Sequence, residues 1–303
     1  MTLFDSQFLP QGLALHISME RWIKNYKLWI LCIDESTYNI LEQLKLNNVK
    51  LIHRDVFESE ELLKLKKIRT RAEYCWTLTP FAPSVVFKTN KEIGRVTYLD
   101  ADMWFRKSPK AIFAEFTNSE KSVLITDHSY APEYDQSAVS GQFCVQFVIF
   151  RKNGSENVLK KWQDECIDWC SEIPEKNKFG DQKYLDKWPE EYGDNIHILQ
   201  DKELLLAPWN QTRLPYGNAV CFHFHQFRLL GKQFVFGGYR TLSNVKEIIY
   251  KSYLMDIAEA LRLLKPYKLK IYQISIKKYI AKTTLNLVFY LVAKDIYYWG
   301  RIK

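Results

Sequence analysis

Two aspartates separated by a single residue, Asp100 and Asp102 around Ala101, follow directly on the apolar residues Val96, Tyr98 and Leu99 in the stretch RVTYLDADMWF. Residues two apart on an extended chain project to the same side, so both carboxylates face one point. Such a pair repels itself unless a cation lies between them. Hard divalent ions such as Mg²⁺ and Mn²⁺ take oxygen ligands and commonly bridge to substrate phosphates. The pattern therefore suits a metal–diphosphate platform. The alternative is a solvated strand end with two surface acids, and D-x-D alone does not separate the two. The other residues with metal or redox chemistry are 6 cysteines: Cys32, Cys75, Cys144, Cys166, Cys170 and Cys221. No C-x-x-C pair occurs, and Cys166 and Cys170 have the spacing of one helix face. They are expected to be reduced, mostly buried thiols of an intracellular protein rather than disulfides or metal ligands.

The elements that must position the acids alternate. TLF (2–4) reads as a strand, PQGLALHISMERWIKNY as a helix with Leu13, Ile17 and Trp22 on one face, and KLWILCID as a second strand. STYNILEQLKL reads as a helix opened by Ser36 as N-cap, VKLIHR as a third strand, and SEELLKLKKIRTRAEYCWTLTPFAPSVVFKT as helical with a break at Pro80 or Pro83. RVTYLDAD is then the fourth strand. Strands alternating with helices predict a parallel sheet covered on both faces. Open sheets of this kind bind ligands at the carboxyl ends of their strands, which is where Asp100 and Asp102 stand. Beyond them, SVLITDH and GQFCVQFVIFR read as strands and ENVLKKWQDECIDWCSEI as an amphipathic helix, followed by FGDQKYLDKWPEEY, IHILQ, LLLAPWN and AVCFHFHQF. From about Val245 the chain turns basic and mostly helical, so the one boundary expected lies near 240.

The 303 residues are 47% hydrophobic and 15% aromatic, enough for a large core and the opposite of a disordered composition. A net charge of +8 suits phosphate-bearing ligands, anionic membrane surfaces or nucleic acid, without choosing among them. The opening MTLFDSQFLP has no basic region and carries Asp5, so it is not expected to be a signal peptide. The longest apolar run near the C-terminus, LNLVFYLVA, falls short of the ~20 residues of a membrane span.

RVTYLDADMWFRKSP resembles the D-x-D segment of GT-A-fold nucleotide-sugar glycosyltransferases, and the wider pattern is similar to family-8-like enzymes and their bacterial surface-polysaccharide relatives. TLFDSQFLPQGLAL resembles their first strand and nucleotide-facing loop, and EYCWTLTP the helix before the D-x-D strand. FGDQKYLDKWP resembles the D-Q segment, LAPWN the loop after it, and VCFHFHQF the late strand that supplies a metal-binding histidine. The resemblance covers about residues 2–240. It implies an α/β, GT-A (Rossmann-like), mostly parallel sheet flanked by helices over 1–240, with a basic, mostly helical extension over 241–303. It also implies that Asp100 and Asp102 hold Mn²⁺ or Mg²⁺ with His223, or else His225, as the third ligand. Two alternating histidines can equally mark a polar strand face.

On the same resemblance, Phe4, Asp5 and Ser6 lie along the nucleoside. Arg71 approaches the donor, unless it is a solvated helix charge. Asp181 and Gln182 flank the donor sugar, where a carboxylate can bind hydroxyls and stabilise positive charge at the anomeric carbon; Asp181 can also serve as a helix N-cap. Trp209 and Asn210 shape the acceptor side, unless Trp209 is simply core. Lys232 is a candidate for the cation that neutralises the leaving diphosphate, an assignment the resemblance leaves open. Departures from the family stand at Cys144, where it has Asn, and at Gln146, where it has a small residue. Gly231 and Lys232 come later after the histidine than the family's Gly and Lys, with Arg228 between.

The function expected is metal-dependent transfer of a hexosyl-type sugar, with retention, from a nucleoside diphosphate to a glycan or lipid-linked acceptor in lipopolysaccharide or capsule synthesis. The alternatives are a catalytically inactive GT-A-fold binding protein and another metal-dependent nucleotide-phosphate enzyme. No nucleic-acid recognition motif occurs, and the positive charge gathers at one end. From Arg262 to Lys303 the only acid is Asp295, and the basic residues are interleaved with aromatic and aliphatic ones. That is the composition of a segment lying on an anionic leaflet, although a helix packed on the catalytic domain would read similarly. The expected location is cytoplasmic and peripheral at the inner face of the plasma membrane.

Overall fold

Along the main strands, apolar side chains alternate between two separate cores, and this alternation fixes the architecture. The computed structural model describes residues 1–231, 233–269 and 298–302. In chain order the strands are Thr2–Phe4 (β1), Leu28–Cys32 (β2), Val49–Ile52 (β3), Arg95–Leu99 (β4), Met103–Phe105 (β5), Val123–Asp127 (β6), Phe143–Arg151 (β7), Ile196–Ile198 (β8), Leu205–Leu206 (β9), Cys221–His223 (β10), Phe227–Leu230 (β11), Gln233–Phe236 (β12) and Tyr298–Arg301 (β13). The helices are Leu9–Trp22 (α1), Glu35–Leu44 (α2), Glu60–Ile68 (α3), Arg71–Leu78 (α4), Phe81–Thr89 (α5), Lys110–Asn118 (α6), Ser137–Ser140 (α7), Glu156–Asp168 (α8), Trp188–Glu191 (α9), Ser243–Val245 (α10) and Lys251–Leu264 (α11).

Leu3, Leu31, Val96, Tyr98, Val148 and Phe150 point to one face of the sheet, where α4, α5 and α8 contribute Tyr74, Leu78, Val86 and Trp162. Phe4, Ile30, Leu99, Phe147 and Ile149 point to the other, where α1, α2, α6 and α11 contribute Leu13, Ile40, Phe116 and Leu264. Neighbours on a strand face opposite sides, so a sheet buried on both faces must be apolar at nearly every position. Each fully buried large side chain contributes about 1.5–3 kcal/mol. Helix α11 also ties to α1 and to β5 through Asp256, which accepts from Arg21 (Nη2–Oδ1 2.7 Å) and from the Trp104 indole (2.7 Å).

β3, β2 and β1 are parallel neighbours. β1 continues onto β4 in parallel, since Met1 donates to the Thr97 carbonyl (2.6 Å) and the Leu99 N–H to the Met1 carbonyl (2.9 Å). β7 is antiparallel to β4 and β6, and β8 runs parallel to β6. The order is β3-β2-β1-β4-β7-β6-β8, with β7 the one reversed strand. The expected mostly parallel sheet is therefore present. Its consequence for the site is that β1, β2 and β4 end at one edge, and the acids just past them, Asp5, Asp34 and Asp100, lie along it. A second sheet, β5-β10-β9, sets His223 opposite Met103. A third, β11-β12-β13, is antiparallel throughout.

Some local expectations change. The N-cap of α2 is Asp34, which accepts from the Thr37 N–H at 2.8 Å, and not Ser36. The segment expected as one broken helix before β4 is divided into α3, α4 and α5. Thr70 and Glu73 form a capping box that starts α4; a new N-cap supplies acceptors for otherwise orphaned N–H groups and so fixes a helix start. The stretch AVCFHFHQF is not one strand: β10 stops at His223, and Gln226 adopts a left-handed conformation (φ 64°) before β11. The 6 cysteines are all free, as expected. Among the described residues no helix is long and apolar enough to cross a membrane. Lys232 and most of the basic tail, 270–297, lie outside the described residues.

Gly12 lets α1 cross closely over the end of β1. A Cβ at that position would lie 2.4 Å from the Phe4 ring, in a buried setting. Alanine gains about 1 kcal/mol of helix propensity but overpacks the core at a cost of about 1–3 kcal/mol. Gly12→Ala should therefore lower the urea midpoint, and Phe4→Leu added to it should restore part of the loss. A midpoint raised by Gly12→Ala would show that the contact yields freely.

Candidate metal and donor site

β4 delivers Asp100 one residue past Leu99, and a tight turn (Met103 N–H to the Asp100 carbonyl, 3.1 Å) returns the chain into β5 with Asp102 at its mouth. β10 lies against β5, so His223 stands beside Met103 and next to Asp102. The Phe224 N–H also donates to the Asp102 carbonyl at 2.9 Å. Ligand atoms of Asp100, Asp102 and His223 all lie within 4.8 Å of one another. His223 Nε2 is 3.0 Å from Asp102 Oδ1 and 3.7 Å from Asp100 Oδ2. Tyr98 donates to Asp100 Oδ1 at 3.1 Å. Two carboxylates and an imidazole form a donor set that suits Mn²⁺ or Mg²⁺ with coordination positions left over for phosphate oxygens.

The electrostatics of the group match that use. Burial, and then the neighbouring Asp102 charge, push Asp100 up to about 7 despite His223. Burial also opposes the charge on Asp102, but His223 overcomes it and holds Asp102 below its ordinary value. His223 is correspondingly held well above its ordinary value by Asp102, against the effect of burial. In the metal-free group, Asp102 thus favours the protonated form of His223. His225 lies outside the three-residue group, in the turn after β10, with its ring 5.9 Å from that of His223. Burial and the His223 charge depress it to about 3, so it stays neutral.

Asp181 is buried, and burial together with the charge of Asp100 raises it to about 8. It follows Gly180, whose φ of +52° lies in the region that favours glycine. Its carbonyl accepts from the Trp162 indole at 2.8 Å. The short turn after it starts at Lys183 with Gln182 in the N-cap position and no side-chain cap bond, so the helix-cap reading of Asp181 does not hold. Gln182 donates to the Ser140 carbonyl at 2.9 Å, which joins it to α7.

Asp5, Ser6 and Arg71 come together at the β1 end of the same edge, whereas the Phe4 ring packs in the core beneath α1. Arg71, in the first turn of α4, pairs with Asp5 and donates to Asp34 at 2.9 Å. Ser6 donates to Asp34 through both Oγ (2.8 Å) and its backbone N–H (3.0 Å). Burial works against the Asp34 charge, and its bonds from Thr37 and Ser6 nonetheless hold it below the ordinary value. Asp34 was missed from the sequence, although CIDES ends an apolar strand on an acid just as YLDAD does.

Other neighbours were also missed or left without a role. Gln146 Oε1 lies 2.8 Å from His223 Nδ1. The thiol of Cys144 lies among His128 and His223; burial pushes it up, and those histidines bring it down to about 6. Trp209 is buried and walls the group, its ring centre 5.3 Å from that of His223 and 5.6 Å from that of His225. Asn210 donates to the His128 carbonyl (3.0 Å) and accepts from the Ala207 N–H (2.8 Å), so it holds the loop. The charge of Arg228 acts on both Asp102 and His225. A polar cavity of about 140 Å³, lined by Asp127, Ser129, Tyr130, Lys202 and Arg213 among others, adjoins this wall through Tyr130.

No protein-family profile matches the chain. YfnF, an uncharacterized protein of Bacillus subtilis (strain 168), is 30% identical over 263 residues, spanning 82% of this chain and 84% of that protein. The chain belongs to the YfnF family. YfnD of the same organism is 28% identical over 261 residues, covering 79% of this chain and 82% of that one. Among solved structures, the glycosyltransferase GlyE of Streptococcus pneumoniae TIGR4 superposes with a TM-score of 0.53 at 16% identity, over 90% of this chain and 64% of that one. The bifunctional glycosyltransferase WbbM, in its apo structure, superposes with a TM-score of 0.53 at 14% identity, over 87% of this chain and 50% of that one. This YfnF relative therefore has the GT-A glycosyltransferase fold, with an Asp–Asp–His group at the carboxyl edge of its sheet.

Proposed function

We propose that the chain is a divalent-metal-dependent glycosyltransferase, of hexosyltransferase type and retaining, that uses a nucleoside-diphosphate sugar. The observation that carries the reading is the convergence of Asp100, Asp102 and His223 at the carboxyl edge of a GT-A sheet. A divalent ion held by these three supplies Lewis-acid stabilisation to the departing diphosphate. Asp5, Ser6 and Arg71 line the nucleoside, and Lys232 together with Arg228 adds positive charge beside the phosphates. Asp181 and Gln182 border the donor sugar, where the Asp181 carboxylate stabilises positive charge growing at the anomeric carbon. Trp209 and the polar cavity beyond it border the acceptor. On this reading 1–240 carries the catalysis and 241–303 is an extension docked on it through α11.

A panel of nucleotide sugars, screened by thermal shift with and without Mn²⁺, tests the reading, because a ligand of the folded state raises the melting temperature by mass action. One donor should raise it only when Mn²⁺ is present, and that donor should then be consumed to free nucleoside diphosphate. Binding without consumption would leave an inactive GT-A-fold binding protein. Consumption with the sugar–phosphate bond intact would indicate a different nucleotide-phosphate enzyme.

The acceptor we propose is a glycan or lipid-linked chain of bacterial surface polysaccharide at the inner face of the plasma membrane. The basic, aromatic stretch from Arg262 to Lys303 supports this, since each lysine or arginine near an anionic leaflet is worth ~1 kcal/mol. Co-sedimentation should occur with anionic vesicles at low salt and fall with neutral lipid or high salt. Truncation would strip β13 from its sheet, so the informative variant replaces Lys277, Lys278 and Lys282 with glutamine and should weaken binding. Equal, negligible binding in every condition would sink the proposal.

A further inference from the structure

One residue touches two members of the Asp–Asp–His group. Gln146, inside β7, accepts the Asp100 N–H on its backbone carbonyl at 3.1 Å. Its side-chain Oε1 lies 2.8 Å from His223 Nδ1. The residue is 1% exposed, so solvent does not compete for these contacts. Its other side-chain polar atom, Nε2, has no hydrogen-bond partner among the described residues. An unpartnered buried amide costs about 1–3 kcal/mol. An apolar side chain of similar volume would fill the same space without that cost, so packing alone does not account for glutamine at 146.

We infer that Gln146 is the positioning residue of the metal group, a role that rests on the reading of Asp100, Asp102 and His223 as ligands. A carbonyl oxygen only accepts, so contact with Oε1 requires the proton on Nδ1. That leaves Nε2, the nitrogen facing both carboxylates, as the one that binds metal. The contact also fixes the ring plane, because β10 holds the backbone of His223 while Gln146 holds the far side of its ring. Partners of this kind behind a metal-binding histidine change metal affinity by about 10–100-fold when removed.

The test measures Mn²⁺ binding to the full chain without nucleotide, from the loss of the free-ion electron paramagnetic resonance signal. Gln146→Leu keeps the volume and removes the acceptor; Gln146→Glu keeps the acceptor. We expect affinity to fall about 10–100-fold in Gln146→Leu and to stay within a few-fold of wild type in Gln146→Glu. A residue that only packs predicts the reverse order, with leucine tolerated and a buried carboxylate disruptive. A second readout needs no metal and no variant that folds poorly: the His223 ring N–H on Nδ1 should give a slowly exchanging downfield proton resonance in the wild type. Unchanged Mn²⁺ affinity in Gln146→Leu, or the absence of that resonance, overturns the inference while leaving the metal site standing. Wild-type chain that binds no Mn²⁺ overturns the site itself and the inference with it.

Discussion

Asp102→Asn should abolish metal-dependent donor turnover. Asp102 stands at the mouth of β5, 3.0 Å from His223 Nε2, and it is the carboxylate of the pair held ionised, below its ordinary value. Asparagine preserves the shape and one oxygen but removes the charge that a divalent ion requires. A metal acting on a leaving diphosphate supplies several kcal/mol of charge stabilisation, and each 1.36 kcal/mol is about tenfold in rate. The loss expected is thus on the order of 10³-fold in kcat, with a parallel loss of Mn²⁺ affinity. Asp100→Asn should behave similarly, as a member of the same group. Steady-state assays with the donor identified by thermal shift check this. Asp102→Asn protein with wild-type turnover would remove the basis of the site assignment.

Asp181→Asn should separate catalysis from stability, moving them in opposite directions. On the proposed reading Asp181 is a preorganised charge beside the anomeric carbon that acts mainly in the transition state, so its loss should lower kcat by on the order of 10²-fold with little change in donor affinity. Without metal the same residue is a burden on the fold. Burial and the Asp100 charge raise it to about 8 from the 3.8 of a free carboxyl. The folded state therefore holds its proton more tightly than the unfolded chain does, and ionising it as pH rises from about 4 to about 8 costs stability. Asparagine resembles the protonated form and avoids that cost. Metal-free Asp181→Asn should melt close to wild type near pH 4 and increasingly above it toward pH 8. A variant that melts lower than wild type across the whole range, with kcat intact, would assign Asp181 a structural role only.

The functional edge was legible where strand and chemistry are adjacent in sequence. RVTYLDAD contains both the apolar run that buries β4 and the acids that emerge from it, and an extended backbone sends the acids to one side whatever the rest of the chain does. The alternation of strands and helices likewise determined a sheet covered on both faces, because each element shows its own apolar pattern. The late histidines were suggested by resemblance alone. Their position depends on the pairing of β10 with β5, in which Cys221–His223 meets Met103–Phe105 across a long loop. No local pattern records that register.

That His223 and not His225 falls within reach of both aspartates depends on where β10 ends. β10 ends at His223, and His225 already lies in the turn that Gln226, at φ 64°, completes before β11, so an apparent alternation in AVCFHFHQF does not become a shared strand face. The linkage of Arg71 to both Asp5 and Asp34 required β1 and β2 to be neighbours and α4 to begin beside them. Thr70 could have announced that start, since T-R-A-E is a capping-box pattern, whereas the meeting of three strand ends could not be read from any one of them. Gln146 shows the same division of information. By itself the sequence determined an apolar strand with one amide inside it; only the tertiary structure decided that this amide faces a histidine more than seventy residues away. Hydrogen bonds between distant segments follow from packing of the whole core, and local propensity carries no signal of them.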